Sequence, residues 1–204
     1  RDAALWFVDI KDRRIHRFDP ELGVGRSWDA PAQVGWIVPT DDGLFAAGLP
    51  RGVHRFDPAS GDDALLHAPE AHLPGNRLND AAVDPSGGLW FGSMDDAEEA
   101  DSGRFYRLHK GVLVESGLAR VSITNGPALS PHGRSLYHTD TLGKRIWRTR
   151  IADDGALHDT SLFVEIEEGA GYPDGPTVDA EGCLWTGLFA GWAARRYDPA
   201  GKLM

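Results

Sequence analysis

The chain has 204 residues, 41% of them hydrophobic and 25% charged, a globular composition that excludes a disordered tail, a collagen repeat and a small disulfide scaffold. With 31 acidic residues against 21 basic ones the formal charge is −10, so no concentrated basic face offers itself to nucleic-acid phosphates, whereas a cation or a neutral polar ligand suits the balance. No apolar run reaches the roughly 18 to 20 residues of a membrane span, the single cysteine Cys183 cannot close an internal disulfide, and the Arg1-Asp2-Ala3-Ala4 start lacks a signal-peptide pattern, which makes the cytoplasm the expected compartment.

Along the chain an aliphatic-aromatic pair recurs at Leu5-Trp6, Leu44-Phe45, Leu89-Trp90, Leu136-Tyr137 and Leu184-Trp185, at spacings of 39, 45, 47 and 48 residues. Turn signals precede the pairs, as in Asp84-Pro85-Ser86-Gly87, Ser130-Pro131-His132-Gly133 and Asp179-Ala180-Glu181-Gly182. A second segment follows each pair, as in His16-Arg17-Phe18-Asp19-Pro20, His54-Arg55-Phe56-Asp57-Pro58 and Arg195-Arg196-Tyr197-Asp198-Pro199. Short alternating segments repeating every 40 to 50 residues or so predict antiparallel blades of about four strands. The expected fold is therefore all-β, a β-propeller with four to five blades in this chain, the first and last of them incomplete.

Features shared by every repeat read as scaffold. Trp6, Trp90, Trp147 and Trp185 are expected to pack between blades, and the slot holding His16, His54 and Arg196 reads as a surface strand position. Cys183, just before a Leu-Trp pair, reads as a strand residue rather than a nucleophile. The segment before each turn behaves differently. Six residues back from Pro85, Pro131 and Ala180 stand Asn79, Asn125 and Asp174, while the matching step from Thr40 reaches Val34. These three open the first strand of their blades, the strand that lines a propeller's channel, so their oxygens are expected to converge there. Two amides and a carboxylate are hard oxygen donors suited to Ca²⁺, Mg²⁺ or Mn²⁺, with Zn²⁺ also admissible. As isolated dipeptides, Asn79-Asp80, Asn125-Gly126 and Asp174-Gly175 would pass for ordinary turns.

At these residues the sequence resembles the gluconolactonase/regucalcin family, also called the senescence marker protein family. The resemblance rests on Leu-Trp-Phe-Val-Asp-Ile at 5–10, Asn-Arg-Leu-Asn-Asp at 76–80 with Phe-Gly-Ser-Met at 91–94, Ile-Thr-Asn-Gly-Pro-Ala-Leu-Ser-Pro at 123–131, and Pro-Asp-Gly-Pro-Thr-Val-Asp-Ala-Glu-Gly at 173–182. It spans essentially the whole chain. It implies a propeller of the six-bladed type, with residues 1–204 forming a single incomplete propeller domain whose open edges would favour oligomers or poor solubility. It further implies a divalent-metal-dependent hydrolase that opens sugar lactones to aldonic acids. In that pattern Asn125 and Asp174 bind the metal, Asp174 is also catalytic, and Arg77, Asn79 and Glu99 bind the substrate. A further family ligand, a glutamate preceding the first Leu-Trp-type strand, has no counterpart among these residues.

The chemistry fits those residue types. A divalent ion polarises an ester carbonyl, Asp174 can accept a water proton, and Arg77 can donate paired hydrogen bonds to sugar oxygens; without a ligand Arg77 would be a surface ion pair. The Gly-x-Ser-x-Gly nucleophile elbow is absent, which disfavours a covalent esterase route. The expected partner is a small sugar lactone, with neither nucleic acid nor membrane. A calcium- or ligand-binding propeller without turnover is the alternative, and a strictosidine-synthase-like propeller fits the motifs less well.

Overall fold

The computed structural model describes residues 3–57 and 59–204; Arg1, Asp2 and Pro58, the last being part of the Phe56-Asp57-Pro58 repeat segment, lie outside the described residues. Among these residues every regular element is a β-strand. The chain divides into two compact units, one ending at Asn79 and the other running Asp80–Met204.

In the first unit, β1 (Leu5–Asp9), β2 (Arg14–Asp19) and β3 (Val24–Asp29) form a three-stranded antiparallel meander, followed by β4 (Trp36–Pro39), β5 (Phe45–Leu49), β6 (Gly52–Phe56) and β7 (Asp63–His67). Ile15, Val34, Ala47, Leu49 and Phe56 are its buried centre, with Trp6, Val8 and Trp28 packed against them. Trp6 stacks on Trp28 at 5.2 Å and leans on Phe45 at 4.7 Å, as the repeat analysis expects of a packing tryptophan. His54 corrects the surface reading of its slot. It is only 5% exposed, because β7 pairs with β6 alongside it and brings Asp63 Oδ2 to 2.8 Å from its Nδ1.

Strand β8 (Asn76–Val83) leads from the first unit into the second. There, β9 (Leu89–Asp95), β10 (Phe105–His109) and β11 (Val112–Glu115) complete a sheet of order β11-β10-β9-β8. β12 (Thr124–Leu129), β13 (Ser135–Asp140), β14 (Arg145–Ile151) and β15 (Leu157–Glu165) form the next meander, and β16 (Tyr172–Val178), β17 (Leu184–Phe189) and β18 (Ala193–Tyr197) the last. β12 packs beside both β9 and β16; the Thr124 hydroxyl donates to Ser93 O at 2.7 Å, tying β12 to β9. Aliphatic and aromatic side chains from Ala128 to Tyr197 form the core between the last two meanders.

The five sheets are the blades of a β-propeller, three-stranded at the first and last and four-stranded between. Two blade turns share a staple. Asp84 accepts from Gly88 N at 2.8 Å, from Trp90 Nε1 at 3.0 Å and from Arg107 Nη2 at 2.9 Å. Asp179 repeats the pattern with Cys183 N at 2.9 Å, Trp185 Nε1 at 2.9 Å and Arg196 Nη2 at 2.8 Å. Each arginine also lies over its tryptophan ring, at 5.2 Å and 5.7 Å. Trp90 is buried, whereas Trp185 is 41% exposed and serves the turn rather than a blade interface. Cys183 is buried one residue before β17, with its N–H held by that same turn, and has no feature of a nucleophile.

Candidate active site

Buried polar residues are the informative departure from a normal sheet core, and here they gather in the first strands of the blades. Asn76, Arg77 and Asn79 are buried on β8, and Thr124 and Asn125 on β12. Arg77 Nη1 donates to Asn79 Oδ1 at 2.6 Å. Both residues lie in the first unit, and Arg77 is 7% exposed, so its guanidinium is not at the surface.

In the second unit, β12 and β16 present the same local device. The register of β12 against β13 breaks between Asn125 and Ala128, and that of β16 against β17 breaks between Asp174 and Thr177. Each break is a bulge carrying a glycine in the left-handed region, Gly126 at φ 75° and Gly175 at φ 50°, followed by proline. A bulge re-aims the side chain at its edge, so Asn125 and Asp174 stand at equivalent positions of neighbouring blades.

The two are linked through Thr141. Its hydroxyl donates to Pro173 O at 3.0 Å and must therefore accept from Asn125, whose Nδ2 lies at 2.9 Å. That fixes the amide with its nitrogen toward Thr141 and its oxygen turned the other way. Asp174 is held by its backbone: the Thr186 hydroxyl accepts from Asp174 N at 3.1 Å and donates to Asp174 O at 2.9 Å. Thr139, the cross-strand partner of Asn125, buries its hydroxyl with no hydrogen-bond partner among the described residues.

Asp80 belongs to this cluster, and sequence reasoning missed it. Its Oδ2 accepts from Gly126 N at 2.8 Å, fastening β8 to the bulge that displays Asn125, and its Oδ1 accepts from Ala81 N at 2.8 Å. Burial pushes the Asp80 carboxyl up to about 6 against those two hydrogen bonds, with the charge of Asp174 pushing the same way. Burial also raises Asp174, opposed by the Gly175 N–H. The available signal was positional: Asp80 follows Asn79 as Gly126 follows Asn125 and Gly175 follows Asp174, so it breaks the repeat where the other blades have glycine.

Thr141 thus joins the Asn125 amide to the backbone beside Asp174, and Arg77 is bonded to Asn79. Glu99 lies exposed on the loop after β9, its N–H donating to Asp95 Oδ2 at 2.9 Å. Among the described residues no group of three or more His, Cys, Asp or Glu side chains converges as a metal site.

Blades whose first strands carry a buried amide and an acid beside a glycine bulge define the class: a β-propeller with a polar site built on those strands. Comparison with known proteins then places the chain. The family model described as the SMP-30/gluconolactonase/LRE-like region matches residues 1–204, and the chain belongs to that family. It is 28% identical to the 6-deoxy-6-sulfogluconolactonase of Pseudomonas putida, covering 100% of this chain and 70% of that protein. It is 31% identical to the L-arabinolactonase of Azospirillum brasilense, covering 98% and 68%. Among solved structures, the calcium-binding protein regucalcin of Agrobacterium tumefaciens superposes with a TM-score of 0.92 at 29% identity, over 100% of this chain and 69% of that one. A Xanthomonas campestris gluconolactonase superposes with a TM-score of 0.83 at 28% identity, over 100% and 71%.

Proposed function

We propose that the protein is a sugar lactonase of the six-bladed propeller type, hydrolysing a cyclic sugar ester to its aldonic acid with the aid of a divalent cation. The observation that carries this reading is the pair of matched bulges that set Asn125 and Asp174 side by side through Thr141. The named lactonases among the relatives support the substrate class.

The donor set suits a hard cation. Asn125 offers an amide oxygen, Asp174 a carboxylate, and the Thr139 hydroxyl beside Asn125 is buried without a protein partner. Two acids, Asp80 and Asp174, are both raised by burial, with the charge of Asp174 adding to the rise at Asp80, and a positive charge beside them would favour their ionised forms. Asn125 and Asp174 would hold the ion, with water completing the shell. A bound Ca²⁺, Mg²⁺, Mn²⁺ or Zn²⁺ supplies Lewis-acid polarisation of the ester carbonyl and lowers the pKa of water.

The chain's own residues do the rest. Asp174 accepts the proton of the attacking water; the water oxygen bonds to the carbonyl carbon, the ring C–O bond breaks, and the proton passes to the departing ring oxygen. In the metal-free protein partial burial raises the Asp174 carboxyl, and the cation it would hold acts the other way. Asp80 keeps the Asn125 bulge in place through Gly126. Arg77, preset by its bond to Asn79, donates to substrate hydroxyls, and Glu99 on the loop after β9 accepts from them.

Acid release from a panel of aldonolactones, with chelator and metal add-back, tests the reading. Asp174→Ala should abolish metal-stimulated turnover, by at least a thousandfold, while the protein stays folded; an unchanged rate overturns the assigned role. A calcium-binding propeller without turnover, the reading suggested by the calcium-binding structural relative, would bind the ion through the same oxygens and release no acid from any lactone.

A further inference from the structure

Trp192 is 99% exposed and sits at φ 53°. A bulky residue in the left-handed region is a backbone outlier, and leaving the largest apolar side chain wholly in water gives it no packing in return. Its position is set by the repeat. The turn between the second and third strands of a complete blade ends with a left-handed residue in three blades: Arg13 at φ 55° before β2, Lys144 at φ 57° before β14, and Trp192 before β18. Two blades place a long cation there; the last places an indole.

The register puts this hairpin at the Asp174 end of its blade. Asp174 pairs with Gly187, Pro173 with Leu188 and Tyr172 with Phe189, while Leu188 pairs across with Ala193. Trp192 therefore lies one residue past the Pro173 level and two strands across from β16, about 12 Å from Asp174 at a strand rise of about 3.3 Å and a strand spacing of about 4.8 Å. Phe189, 67% exposed, starts the same turn.

The turn is also rigid. A Cβ on Gly191 would collide with Ala170 O, and one on Gly171, at φ 99°, would meet Gly191 N and Phe189 O at 2.6 Å, so the hairpin backbone is pressed against the loop leading to Asp174. That loop is in turn clamped by Arg195, whose two terminal nitrogens grip the Glu167 carboxylate.

We infer that Trp192 is a stacking platform for the carbon-bearing face of the sugar ring, positioning lactones above Asp174 and setting which ring is accepted. A planar aromatic surface held without side-chain partners suits the C–H face of a pyranose or furanose, while the ring's hydroxyls are left for the polar strand residues. A preset turn lowers the ordering cost of binding. The inference rests on the lactonase reading only for its kinetic test.

That test compares Trp192→Ala, Trp192→Gly and Trp192→Tyr with the parent chain. The KM for aldonolactones should rise about tenfold in the alanine and glycine variants and less than threefold in the tyrosine variant, with kcat within twofold throughout. Trp192→Gly should melt no lower than the parent, since glycine adopts this backbone without strain. Independently of turnover, 1,5-anhydroglucitol, a sugar ring with no ester to cleave, should shift the Trp192 indole N–H resonance saturably, with glycerol as the control. Assignment follows from the resonance lost in Trp192→Ala. A shift in a chain that hydrolyses no lactone would leave the platform standing and sink the lactonase reading. An unmoved indole, or an alanine variant that changes self-association while KM stays put, would refute the platform.

Discussion

His138 on β13 is boxed in by β10 and β14: Phe105 meets it edge-on at 5.1 Å and Thr149 Oγ1 lies 3.1 Å from its Nε2. Burial pulls its pKa down to about 4, against about 6.5 in an unfolded chain. Between these values the unfolded chain binds a proton that the fold rejects, so stability rises with pH across the window and is lost as pH falls from about 6.5 to about 4. Asp80 runs the opposite way. Its folded value near 6 exceeds the unfolded value, so between about 4 and 6 the fold holds the extra proton and stability falls as pH rises. The raw curve mixes both signs, and the informative quantity is the difference between chains. His138→Gln, which keeps a donor for Thr149 and cannot ionise, should flatten the acid loss relative to the parent by about 3 kcal/mol between pH 7 and pH 4. Parallel stability-versus-pH curves for the two proteins would show that His138 does not carry the linkage.

At the scale of the element, the staples of the blade turns are one motif in two environments. Asp84 is deeply buried with Trp90, and the Ser86 hydroxyl, Gly88 N–H, Trp90 and Arg107 overcome the cost of that burial to hold its carboxyl at about 2. Asp84→Ala leaves an indole N–H and a guanidinium of 19% side-chain exposure without their acceptor, and should cost about 3 kcal/mol in chemical denaturation. Asp84→Asn retains one acceptor oxygen and should restore part of the loss. Asp179→Ala should cost much less, because Trp185 is half in solvent and Arg196 keeps Glu181 at 2.7 Å. Equal losses at the two turns would mean that burial does not decide the staple's strength. These turns also mark where sequence reasoning works. Their Asp, Gly and Leu-aromatic spacing is local, so it was readable, as was the equivalence of the Asn125 and Asp174 positions in their strands, which depends only on counting back within a blade. The burial of His54 needed Asp63 from the next strand, and Asp80 looked like half of a turn dipeptide until Gly126 was seen to donate to it. What was missed was non-local.

For the whole molecule, the −10 charge and the paired acids of the second unit make cation binding a stability question as well as a catalytic one. A ligand that binds only the folded state stabilises it by RT ln(1 + [L]/Kd), about 2.7 kcal/mol at a hundredfold excess over Kd, which for a chain of this size is a rise in melting temperature of about 5 to 10 °C. Asp80, Asn125 and Asp174 all belong to the unit running Asp80–Met204. If melting shows two transitions, only the one belonging to that unit should therefore move. Chelated protein titrated with Ca²⁺, Mg²⁺, Mn²⁺ and Zn²⁺ should show this rise for the preferred ion at micromolar to millimolar concentration. Asn125→Ala and Asp174→Ala should abolish it. Substitution of an exposed acid such as Asp153, ion-paired to Arg134 at the surface, should leave it intact. A shift of equal size in all these proteins would be general screening of an acidic surface rather than a site, and would remove the metal from the proposed chemistry.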